Sequence, residues 1–120
     1  MPKYKLPPEI ARSTQRAIQY NLSLPMSKRA SYKDDNGKRV PGTGMRTARR
    51  IASGSVDEDQ IRLMIAWFAR HGESQKEKEA RRDKTSKASI AFALWGGRAG
   101  ERWAKAQLRK IERQRSNGKG

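Results

Sequence analysis

Cysteine is absent from this 120-residue chain, which excludes disulfides, thiol nucleophiles and thiolate metal sites and permits a reducing compartment. Histidine occurs once, as His71, too few for the imidazole set of a zinc centre. No serine or carboxylate stands at a spacing that marks it as a catalytic mate of His71, so neither enzyme activity nor a cofactor is expected. Glu73, Glu77 and Asp83 offer oxygen ligands for magnesium, but Lys76, Lys78, Arg81, Arg82 and Lys84 lie among them, and solvated charge pairing accounts for the cluster. Long apolar runs are missing, and the opening MPKYKLPPEI lacks the apolar stretch of a secretion signal. A membrane span, a membrane partner and export by that route are not expected.

Negative charge is also scarce. Twelve acidic residues face 28 basic ones, for a net charge of +16. Such a chain repels itself at low salt, and a polyanion relieves the repulsion most directly. Nucleic acid is the first partner class to consider, DNA ahead of RNA, and an acidic protein surface is the second. The hydrophobic share is only 34%, yet Trp67, Phe68, Phe92, Trp95 and Trp103 are more large aromatics than a disordered chain carries. One small domain is expected, its core weighted towards the second half.

Pro7 and Pro8 disfavour helix before them and suit the first turn of one after them. Ile10, Ala11, Thr14, Ala17 and Ile18 recur at helical spacing, predicting a helix from Pro8 to about Asn21. From Asn21 to Gly44 periodicity disappears. Tyr32 and Val40 flank the turn signal Asp35–Asn36–Gly37, compatible with a hairpin, but a flexible basic arm is favoured. Thr43 is expected to cap a helix over Gly44–Ser53. SVDE at Ser55–Glu58 then reads as a capping box for the best helix in the chain, Val56 to His71, with His71 capping its end. Gly72–Lys87 reads as a solvated connector or a polar helical turn. Thr85 or Ser86 starts a helix through Ala88, Ile90, Ala91, Leu94 and Trp95, apolar nearly all round and therefore expected at the centre of the fold. A final helix is expected from Arg98 to about Gln114.

Gly96, Gly97 and Gly100 invite a phosphate-loop reading, but WGGRAG matches neither nucleotide-binding glycine pattern and follows no strand. A tight turn between helices is expected instead, with Gly96 or Gly97 at positive φ, Gly100 allowing close contact, and Trp95 and Trp103 fixing the corner. Trp67, beside the main apolar stripe, is the candidate for a protein contact. The phosphate-binding candidates are Arg46, Arg49 and Arg50 on one helix and Arg98, Arg102, Lys105, Arg109, Lys110 and Arg113 on the last. The two helices joined at Gly54 are compatible with a helix-turn-helix, yet Asp57, Glu58 and Asp59 place acid where base edges would be read. Backbone binding is therefore expected rather than base readout.

FARHG at Phe68–Gly72 and IAFALWGGRAGERWAKAQL at Ile90–Leu108 resemble a small helical family of tailed phages and prophages, in which a segment like YFARHE precedes one like IAWLLWGGDAGRAWA. TARRIASGSVDEDQIRLM is similar to that family's arginine-rich helix, short turn and capped helix, so the resemblance spans about residues 43 to 108. Phe68, Ala69, Arg70, His71, Leu94, Trp95, Gly96, Gly97, Gly100, Trp103 and Ala104 match. Gly72 and Arg98 depart, each standing where the pattern has an acid. The resemblance implies phage origin.

The combined expectation is an all-α domain of four to five short helices: residues 1–42 an N-terminal helix and basic flexible arm, 43–115 the compact helical domain, and 116–120 a disordered tail. Its expected role is that of a non-enzymatic, phage-type nucleic-acid-binding accessory protein, in the cytoplasm of the infected bacterium or packaged in the virion. A virion or head-assembly protein that docks on phage head proteins, and an effector that binds a host transcription or defence protein, are the rival readings.

Overall fold

The computed structural model describes residues 2–118. Its helices are α1 (Pro8–Ser23), α2 (Thr43–Ala52), α3 (Glu58–His71), α4 (Gln75–Ala80), α5 (Lys87–Leu94) and α6 (Gly97–Gly118). Two antiparallel two-stranded ribbons accompany them, β1 (Tyr4–Lys5) with β4 (Ser55–Val56) and β2 (Tyr32–Asp35) with β3 (Lys38–Pro41). The chain is thus a small, mostly helical domain, as its periodicity predicts.

α1 begins at Pro8, where a missing N–H costs nothing, and places Glu9 in the first turn. Its buried face of Ile10, Ala11, Thr14 and Asn21 packs mainly on α2, while α3 and α6 pair with each other. One apolar cluster joins Leu6 and Ile10 to Ile51, Val56, Ile61, Met64, Phe68, Trp95, Ala104 and Ile111. A second joins Ala30, Met45, Ala48, Ile90 and Leu94. Contacts at both ends show that α6 runs antiparallel to α3: Arg98 donates to the Gly72 carbonyl and Arg115 to Glu58.

The stretch expected to be a flexible arm is built instead from a 3-10 turn at Met26–Lys28 and the β2–β3 hairpin. Asn36 and Gly37, with φ of 52° and 81°, both take the positive φ that a type I′ hairpin turn needs. Asn21 holds the region to the core. Its Nδ2 donates to the Ala30 carbonyl at 3.0 Å, and its Oδ1 accepts the Ala30 N–H at 2.9 Å. A single buried amide therefore replaces a strand partner for Ala30.

Other boundaries differ for tertiary reasons. Ser55 is no cap, because Ser55 and Val56 pair with Lys5 and Tyr4; α3 starts later, with Asp57 accepting the Gln60 N–H at 2.9 Å. Gly42, not Thr43, precedes α2, with no side-chain cap. Ser86 does cap α5, and the charged connector contains α4, capped by Ser74. α5 packs against α1, α2, α4 and α6, with Ile90, Leu94 and the following Trp95 buried, while α2 and α3 supply Met45, Ile51, Ile61, Met64 and Phe68. Residues 116–118 continue α6 rather than forming a loose tail; Lys119 and Gly120 lie outside the described residues.

Candidate nucleic-acid interface

α6 sorts its charges by face. Gly100, Glu101, Ala104 and Ile111 are buried, which turns Arg102, Arg109 and Arg113 outward, since steps of seven and four residues return to one side of a helix. Lys110 lies beside them, and all four are exposed. None has a carboxylate within ion-pair distance among the described residues, whereas the cations at the margin of the buried face are all paired. Arg98 Nη1 lies 2.7 Å from Glu101 Oε1 and Lys105 Nζ 3.0 Å from Oε2. Burial pushes the Glu101 carboxyl up, but these two donors outweigh it and hold it below the ordinary glutamate range. Arg115 and Arg62 hold Glu58 down in the same way.

The predicted contact set on α6 is therefore divided. Arg102, Arg109, Lys110 and Arg113 keep their charge available, while Arg98 and Lys105 neutralise a carboxylate that is only 7% exposed. Arg98 has a second task. Its Nη2 donates to the Gly72 carbonyl at 3.2 Å, beside Arg81, which donates to the His71 and Gly72 carbonyls at 3.3 and 3.0 Å. The Phe92 ring lies 4.4 Å from the Arg81 guanidinium and 5.2 Å from that of Arg98. These arginines close the negative end of α3. His71 does not act as the cap: its ring lies 4.8 Å from Trp67 and its Nδ1 2.9 Å from Glu77 Oε2.

On α2, Arg46, Arg49 and Arg50 share the face opposite Met45, Ala48 and Ile51, and all three are exposed. Arg46 donates to the Pro41 carbonyl and Thr43 Oγ1, and Arg50 to Gln60 Oε1 at 2.8 Å. These partners are uncharged, so the positive charge survives. Arg50 also borders a cleft of about 250 Å³ with Lys3, Asp57, Asp59 and Leu63. The acids there, and Glu58 bound to Arg62 and Arg115, make the start of α3 a poor surface for base edges.

The glycine corner is a structural elbow. Gly96 and Gly97 have φ of +104° and +65°, conformations that side-chain-bearing residues rarely adopt. A Cβ on Gly96 would lie 3.2 Å from Gly100 Cα, whereas one on Gly100 would meet only ordinary contacts, at 3.4 Å or more. The close approach at this corner thus belongs to Gly96. Trp95 stacks on Trp67 rather than on Trp103, with ring centroids 5.2 Å apart and planes 12° from parallel. Trp67 is accordingly half-buried, and Trp103 packs against the main core from α6.

Sequence reading missed Glu101 as the hub of the α6 margin, although its position three residues after Arg98 and four before Lys105 is a helical ion-pair spacing. The Arg115–Glu58 pair had no local signal, its members being 57 residues apart. Among the described residues no group of three acids or histidines is placed to hold a metal, and no helix is long and apolar enough to cross a membrane. Comparison with family models, curated proteins and solved structures finds no match.

Proposed function

We infer that the protein is a non-enzymatic accessory protein that binds nucleic acid, DNA ahead of RNA, through phosphates and with little base specificity. The observation that carries this reading is the selective pairing on α6: marginal cations are neutralised by acids, while Arg102, Arg109, Lys110 and Arg113 on the outer side have no acidic partner among the described residues. Repulsion among them is relieved when phosphate oxygens approach. From Arg102 to Arg113 the helix rises about 16 Å, a length over which a duplex presents on the order of ten phosphates. Arg46 and Arg49 add charge from α2, while Arg50 is turned towards Gln60 and the cleft that Asp57 and Asp59 line.

The phage resemblance supports a role during infection, in the host cytoplasm or inside the virion. Arg98 stands where that pattern has an acid, and here it pairs with Glu101. The reading is tested by fluorescence anisotropy with two short duplexes of unrelated sequence over a salt series. Equal affinities that fall steeply with salt are expected. Absence of duplex binding, together with salt-insensitive capture of a phage head protein from nuclease-treated lysate, would replace it with the assembly reading.

A further inference from the structure

The end of α1, the 3-10 turn and the start of α5 border a groove of about 460 Å³, lined by Tyr20, Leu24, Ser27, Lys28, Thr85 and Lys87. That volume suits a small organic group. Its lining is chemically one-sided. Lys28 and Lys87 are exposed and form no ion pair among the described residues, and no carboxylate lines the groove. Asp83, the acid nearest in sequence to Thr85, is engaged there, its Oδ1 accepting the Thr85 N–H at 2.9 Å and the hydroxyl at 2.6 Å. Tyr20 remains 41% exposed and lines the groove together with the apolar side chain of Leu24.

One aromatic face, an apolar wall and two ammonium groups match an unpaired nucleotide, whose base needs a stacking platform and whose phosphates need cations. A paired base cannot enter, being stacked inside its duplex. An acidic helical peptide would satisfy the lysines, but it needs a succession of apolar anchors, and Tyr20 and Leu24 are the only large apolar residues here.

We propose that this groove receives one unpaired nucleotide, its base on Tyr20 and its phosphates on Lys28 and Lys87, so that the protein prefers a duplex with a single-stranded overhang to a blunt one. The inference rests on the nucleic-acid reading of α2 and α6 but uses residues of neither helix. Anisotropy with the full chain compares a blunt duplex, the same duplex with a short thymidine overhang, and oligothymidine alone. Wild type should bind the overhang tighter by about fivefold or more, the lower end of what one stacked base contributes. Tyr20→Ala, and the double variant Lys28→Gln with Lys87→Gln, should erase that preference and leave blunt-duplex binding and the circular dichroism unchanged; Tyr20→Phe should keep it.

Equal wild-type affinity for blunt and overhang duplexes, or a preference that survives Tyr20→Ala, overturns the groove assignment while leaving the α6 reading in place. Tyr20-dependent binding of oligothymidine without any blunt-duplex binding does the reverse. Loss of all nucleic-acid binding overturns both, and so does Tyr20-dependent capture of a glutamate-rich amphipathic peptide by a protein that binds no DNA.

Discussion

Removing charge from the outer side of α6 should change how binding depends on salt, by an amount that follows from which cations are uncompensated. Arg46, Arg49, Arg102, Arg109, Lys110 and Arg113 are exposed and have no acidic partner among the described residues. If all of them meet phosphates of a duplex, the slope of log K against log salt is about −5, and a fourfold rise in salt weakens binding roughly a thousandfold. The triple variant Arg102→Gln, Arg109→Gln, Arg113→Gln removes about half of these contacts and should bring the slope to about −3. Glutamine is nearly as good a helix former as arginine, so α6 should persist, at a cost of a few tenths of a kcal/mol per site. Arg98→Gln is the matched control. It deletes the same charge from the same helix, but a charge already paired with Glu101 and bound to the Gly72 carbonyl, so stability should fall while the slope stays near that of wild type. Anisotropy titrations at several salt concentrations measure both. A triple variant with an unchanged slope, or an Arg98→Gln variant that shifts it as much as Arg109→Gln alone, would refute the division of α6 into paired and free cations.

Asn21→Ala leaves the N–H and carbonyl of buried Ala30 without partners, at a cost of about 2–4 kcal/mol; urea unfolding should show an earlier midpoint at unchanged m, and a loss below about 0.5 kcal/mol would contradict the clamp. Gly96→Ala should cost about 1–2 kcal/mol for its positive φ, whereas Gly100→Ala should be tolerated, a ranking that thermal unfolding of both variants decides. Glu101 and Glu58 are held below the ordinary carboxylate range when folded, so the stability they contribute is complete above the unfolded glutamate pKa and disappears as pH falls through the lowered folded values. Melting temperatures over an acidic pH series should therefore drop more steeply for wild type than for Glu101→Gln, with parallel curves from neutral pH upward.

Local rules read much of the helical framework from the chain. Proline placement started α1, and the apolar spacing of Ile61, Met64 and Phe68 marked the buried face of α3, because both signals act within one or two turns. The glycine pair at the corner was equally legible, since positive φ is a property of single residues. Boundaries failed where a distant segment intervened. Ser55 reads as a cap until Lys5 pairs with it, and the stretch around the Asn36–Gly37 turn signal reads as a loose arm until Asn21 ties Ala30 to the core.

Composition and periodicity by themselves determined that this chain builds a small helical domain with excess positive charge and an outward basic stripe on its last helix. They could not determine which positive charges are free. Tertiary structure completed that distinction: packing α6 on α3 brought Arg115 to Glu58 and buried Glu101, whose pairs with Arg98 and Lys105 follow helical spacing, while Arg102, Arg109 and Arg113 remained exposed and without an acidic partner among the described residues. Helical spacing sets the direction of each charge. Where no acid stands one turn away, the packed partner decides whether that charge is neutralised.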